Sequence, residues 1–194
     1  MFKLIRLVAL LAISAFSVNA TAAVVIDFQT GPDGAGGIIT ESGGDVVGTN
    51  INISLLTVDG AGAMDGVYNA DAKLNFDTAA DTITIFGIVN GLGESLGSTP
   101  RNLLSGSFSS FSYDASGFNE VFIASGPDWK DRDLLRALEV DPTTPFDFFG
   151  FSVESVNGTV ISTDIVNTAV PVPAAVWLFG SGLLGLVGVA RRRA

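Results

Sequence analysis

From Val24 to Val170 the chain is written in short runs whose side chains alternate apolar and polar, broken about every ten residues by Gly, Asp, Asn or Ser. That period of two constrains the fold more than any other feature, because it buries one face of an extended strand and leaves the other in water. In INISLLTV (51–58), Ile51, Ile53 and Leu55 alternate with Asn52 and Ser54. KLNFDTAADTITIF (73–86) places Leu74/Phe76 and Ile83/Ile85 on either side of a polar turn, the pattern of a hairpin. SFSSFSY (107–113) and NEVFIA (119–124) continue it. In FFGFSVESVNGTVISTDIV, Phe149, Phe151 and Val153 share one face, and Asn157-Gly158 tolerates the positive φ angles of a type I′ turn. VVIDF (24–28) runs into GPDGAGG, too glycine-rich for regular structure. Short strands at this spacing predict an all-β fold, an antiparallel β-sandwich of two sheets, with a closed barrel as the alternative architecture. The chain shows no internal repeat and no second domain.

One segment departs from the alternation. SGPDWKDRDLLRALEVDP has Pro127 near a helix start, early acids at Asp128, Asp131 and Asp133, and an apolar stripe of Leu134, Leu135 and Leu138. Asp141-Pro142 ends it. The segment predicts one short helix of about three turns, packed on a sheet edge or over one end of the fold.

The two ends differ in kind from the body. Lys3 and Arg6 precede an apolar stretch, Leu7 to Phe16, and the small residues of SVNATAA follow. This is the order of a secretory signal, 1–20, with Val18 and Ala20 placing the cut after Ala20, and Ala20 and Ala22 allowing one after Ala22. Signal and C-terminal tail hold half of the ten basic residues. Lys73, Arg101, Lys130, Arg132 and Arg136 then face all twenty acidic residues, so the body carries a net charge of −15. Such a body is repelled by nucleic acid and by anionic headgroups, which excludes nucleic acid as a partner.

The absence of Cys excludes thiol catalysis and thiolate metal sites, and an exported domain of this size can build its core without disulfides. GESLG (93–97) matches a nucleophile elbow with Ser95 as nucleophile, but the chain has no His to accept its proton, and the match lies in a Gly/Ser loop. We read it as chance and assign no catalytic residue and no cofactor. Asp59, Asp65, Asn69 and Asp71 crowd into DGAGAMDGVYNAD, where hard cations find oxygen ligands, yet the spacing fits no calcium loop and reads as an ordinary Gly/Asp turn. Trp129, Tyr68 and Tyr113 are aromatics that could stack on sugar rings.

The C-terminus, 168–194, reads as a membrane-engaged tail. Ala174 to Ala190 is an uncharged run of seventeen residues, about 25 Å as a helix against a hydrocarbon core of ~30 Å. Pro173 suits the first helical turn, Trp177 lies near the interface, and Gly182, Gly185 and Gly188 form a small-residue face. Arg191, Arg192 and Arg193 stop translocation and hold the end in the cytoplasm.

Val170-Pro171-Val172-Pro173-Ala174-Ala175, then Trp177-Leu178-Phe179, Ser181-Gly182-Leu183-Leu184-Gly185-Leu186 and the arginines, closely resemble the PEP-CTERM sorting signal. The signature Pro-Glu-Pro stands here as Pro171-Val172-Pro173, which looks like the VPLPA-type variant. The resemblance implies a substrate: a protein exported by the Sec translocase, held by its tail, and cut near Val170 to Ala174 by an exosortase-type membrane protease. It then implies release or attachment at the cell surface, with extracellular polysaccharide as a further partner. The sequence therefore predicts a non-enzymatic surface or extracellular-matrix protein with an acidic body, 21–167. A secreted carbohydrate-binding module and a resident single-pass membrane protein are the alternatives.

Overall fold

The computed structural model describes residues 23–169, apart from 33, 94, 95, 97 and 118, and Ala23–Val170 form one compact unit. Ten strands account for most of it: β1 (Val25–Gln29), β2 (Ile38–Ser42), β3 (Asp45–Asp59), β4 (Gly66–Asp77), β5 (Thr82–Val89), β6 (Arg101–Gly106), β7 (Ser110–Asp114), β8 (Asn119–Lys130), β9 (Phe146–Val156) and β10 (Thr159–Ala169). A 3-10 turn, Gly62–Met64, and a helix, α1 (Arg132–Ala137), complete the described elements. Every ladder is antiparallel, so the protein is all-β as the alternation requires.

The ladders correct the expectation of two separate sheets. Followed from β3 through β4, β5, β6, β8, β9, β10 and β1, the pairings return to β3. The seam closes because β1 is bonded along both edges: Val25 lies opposite Thr168 on one side and Asp59 on the other. On the far side β6 passes to β8 through Leu104–Gly106 against Asp128–Lys130. The sheet is thus a closed ring of eight strands, an arrangement that removes the open edges a sandwich must protect. β2 and β7 are half-length additions. β2 continues the line of β1 along the first half of β3, and β7 pairs with β8 over Val121–Ser125.

Between β1 and β2 the glycine run crosses the wall without forming a strand. Asn52 N–H donates to Ala35 O at 2.7 Å and Val160 N–H to Gly37 O at 3.2 Å, so the loop is pinned on both flanks. Gly37 has φ +83°, and a Cβ there would stand 2.7 Å from Ile51 Cα. Only glycine fits that conformation in that space.

Even-numbered positions of β4 and β8, and their partners across each ladder, fill the interior. Leu74 and Phe76 face Ile85 and Ile83 in the predicted β4–β5 hairpin, all four buried. The predicted type I′ turn is present, with Asn157 at φ 51° and Gly158 at φ 76°. One register expectation needs correction. A ladder irregularity between Ile53 and Leu55 turns Leu56 inward in place of Leu55, because one bulged residue inverts every face beyond it. Phe151 and Val153 share the inward face as expected; the side chain of Phe149 lies outside the described residues. A second irregularity between Phe148 and Phe151 puts Phe148 in the core as well.

The core is aromatic at its centre. Phe76 stacks on Phe122 with ring centroids 4.6 Å apart, Phe151 meets Phe76 edge-on at 5.3 Å, and Phe108 closes over them at about 6 Å. Gly48 on β3 makes room for Phe76: a Cβ there would overlap the ring at 2.1 Å.

The helix is shorter than predicted. Pro127 to Lys130 belong to β8, and α1 begins only after Asp131, whose carboxylate accepts from the N–H of Asp133 and Leu134 at 2.9 Å. The alternation through Asp128 and Lys130 outweighs the helix-start signal, because both side chains turn into the interior. The C-terminus of α1 folds back with Glu139 in the left-handed region, φ 57°, Val140 N–H donating to Leu135 O and Glu139 N–H to Arg136 O. Leu134, Leu135 and Leu138 are buried as expected.

Candidate functional site

Three polar constellations depart from a plain hydrophobic barrel. The first lies inside. Lys130 Nζ donates to both carboxylate oxygens of Asp128 at 2.7 Å and to Asn167 Oδ1 at 2.9 Å, and stands 4.7 Å from the centroid of the Phe146 ring. Both side chains of the ion pair are wholly enclosed. Burial lowers the Lys130 pKa to about 8, with Asp128 opposing the shift, and raises that of Asp128, with Lys130 opposing it. With Asn167 Nδ2 donating to Ile165 O, the trio is internally satisfied. It reaches no solvent, so its role is to fix β8 against β10.

The second is a carboxyl pair on the outer side of the β1–β10 ladder. Asp27 lies opposite Val166 and Asp164 opposite Gln29, so the two carboxyls are diagonal neighbours across the ladder, and Gln29 Nε2 donates to Asp27 Oδ2. Burial first, then Asp164, raises the Asp27 pKa to about 7, against the opposing Gln29 bond. Asp27 Oδ1 and Asp164 Oδ1 are both enclosed and without a hydrogen-bond partner, which favours the protonated form of Asp27.

The third is a hollow of about 260 Å³ on the wall of β8 and β9, lined by Ser109, Ser125, Gly126, Pro127, Asp147 and Phe148. Ser109 N–H donates to Ser125 O at 2.8 Å, holding the β6–β7 connection against β8. Asp147 lies opposite Pro127, and Trp129 stands two residues further along the same face, 63% exposed.

The residues singled out in the sequence fare unequally. Ala20, Ser95, Val170, Pro171, Val172, Pro173, Ala174, Arg191, Arg192 and Arg193 lie outside the described residues, as does the 174–190 run. Among the described residues, no helix is long and apolar enough to cross a membrane. Nor does any group of three or more acidic side chains there converge on a metal-sized site. Asp65 is occupied in accepting from Ala61 N–H at 2.6 Å, while Asn69 and Asp71 are ladder positions of β4. Trp129, Tyr68 and Tyr113 sit on three different strands. Tyr68 is half-buried, its hydroxyl donating to Met64 O at 2.7 Å. Tyr113 is half-buried too, burial and then Glu120 raising its pKa, and only Trp129 is exposed.

The polar constellations carry no local signal. The helix-start pattern masks Asp128 and Lys130, and nothing in VVIDF tells that Asp27 has Asp164, 137 positions away, as a neighbour. No family model, no curated protein and no solved structure matches the chain.

Proposed function

We propose that this is an exported, non-enzymatic cell-surface or extracellular-matrix protein, whose C-terminal tail is cut by an exosortase-type protease after delivery by the Sec translocase. The observation that carries the reading is the order of features at 170–194: the proline pair Pro171 and Pro173, an uncharged run of seventeen residues, then three arginines, in a chain that opens with a signal-like segment. Pro173 fixes its own φ and pushes Val172 toward an extended conformation, the form a protease grips. An acidic, disulfide-free body suits life outside the membrane. The body also gathers its two ends: Ala169 N–H donates to Val24 O at 2.8 Å, so the strands nearest the signal and the tail run side by side. A tether at one point leaves the remaining surface free to face the medium.

Cell fractionation with mass spectrometry of the mature ends tests this. The mature protein should begin near Thr21 and end near Pro171 to Ala174, and replacing Pro171 and Pro173 with alanine should make the full-length chain accumulate in the inner membrane. A mature wild-type protein that still carries residues 177–190 makes it a resident single-pass membrane protein instead.

A further inference from the structure

The outer face of β8 joins two features that are separate in the sequence: the exposed Trp129 ring and the hollow formed by Ser109, Ser125, Pro127 and Asp147. The indole is 63% exposed and offers a flat apolar face beside the hollow. The hollow, about 260 Å³, has room for one or two sugar-sized rings, and its polar groups are hydroxyls and one carboxylate. Ser125 Oγ is already hydrogen-bonded to Ser110 Oγ at 2.8 Å, which orients it and leaves it further bonding capacity. Asp147 is exposed and can accept from two neighbouring hydroxyls at once.

The surroundings extend the platform. Ser105 on β6 lies opposite Trp129, Thr84 on β5 opposite Ser105, and Phe86, 52% exposed, is the next outward residue of β5. Asn102 lies opposite Phe86. Two exposed rings with amide and hydroxyl groups between them match the alternating apolar and polar faces of a sugar chain. Charge decides among polymers: with a body of −15 and a carboxylate in the hollow, acidic polysaccharides, phosphates and anionic lipid are repelled.

We propose that this face binds a neutral polysaccharide, with Trp129 as the stacking platform and Asp147, Ser109 and Ser125 as the hydroxyl-reading groups. The proposal does not require the tail to be cut. The test is native affinity electrophoresis of the detergent-solubilised full-length chain in gels cast with a soluble β-1,4-glucan, a β-1,3-glucan, a galactomannan or, as the acidic control, alginate. At least one neutral polymer should retard the wild type while alginate does not, and Trp129→Ala and Asp147→Ala should each weaken binding about tenfold or more. Melting curves of both variants, expected to match the wild type because both side chains are exposed, separate lost binding from lost folding. Absence of retardation by all the neutral polymers overturns the proposal. So does retardation that both variants retain, or a Trp129-dependent dimer in sedimentation without retardation.

Discussion

Replacing Asp27 with asparagine should change how the stability of this barrel depends on pH. The Asp27 pKa is raised from 3.8 to about 7, chiefly by burial and then by Asp164. Between those values the folded chain holds a proton that the unfolded chain has released. Stability therefore falls as pH rises through this window, since folding is coupled to proton uptake. At ~1.4 kcal/mol per pH unit the displacement sets a ceiling of about 4 kcal/mol. Asp27 is only half-buried, and solvent screening reduces the figure to about 2 kcal/mol. For a domain of this size that corresponds to a melting point lower by about 4–8 °C at pH 8 than at pH 4. Asp27→Asn cannot ionise, so its melting point should match the wild type near pH 4 and exceed it at pH 8. Asp164→Asn should shrink the slope without abolishing it, because burial is the larger cause. Thermal melts followed by circular dichroism from pH 4 to 8.5, at a fixed ionic strength high enough to screen the net charge, measure both. A difference between wild type and Asp27→Asn that stays constant across this range would refute proton uptake by Asp27 on folding.

Other substitutions probe the rest of the fold. Lys130→Met strands the Asp128 carboxylate among apolar groups and should cost ~3–5 kcal/mol in chemical denaturation, while the double variant with Asp128→Leu recovers most of that loss. Gly48→Val drives a side chain into the Phe76 ring and should lower stability by ~1–3 kcal/mol or prevent folding. Glu139→Gly relieves the left-handed turn after α1 and should raise the melting point by about 2–4 °C.

How far the sequence could be read depended on the range of each interaction. Ladders between neighbours in the chain were legible, because Leu74/Phe76 with Ile83/Ile85, and Asn157-Gly158 with its flanking strands, encode pattern and turn within twenty residues. The closing seam was not. Val25 is paired at once with Asp59 and Thr168, and nothing in VVIDF distinguishes a strand bonded on both edges from one at the rim of a sandwich. Bulges were invisible for a similar reason: Leu55-Leu56 offers two adjacent apolar residues, and the partner strand decides which turns inward.

The polar groups extend the same reasoning from fold to function. Alternation assigns a residue to a face but is blind to what meets it there. Asp128 and Lys130 are at inward positions, where a charge pair contradicts the alternation that defines a half-buried strand. The geometry reverses this: an internally satisfied ion pair can occupy inward positions, and having two of them in β8 turns the intervening Trp129 outward, beside the hollow. The buried pair and the exposed ring are thus two consequences of one strand's register. A helix over 127–141 would have placed Trp129 and Lys130 on adjacent faces and left the hollow without its platform. The role of Lys130 in any binding at this face is therefore positional: it keeps Trp129 turned outward without touching what the ring would hold.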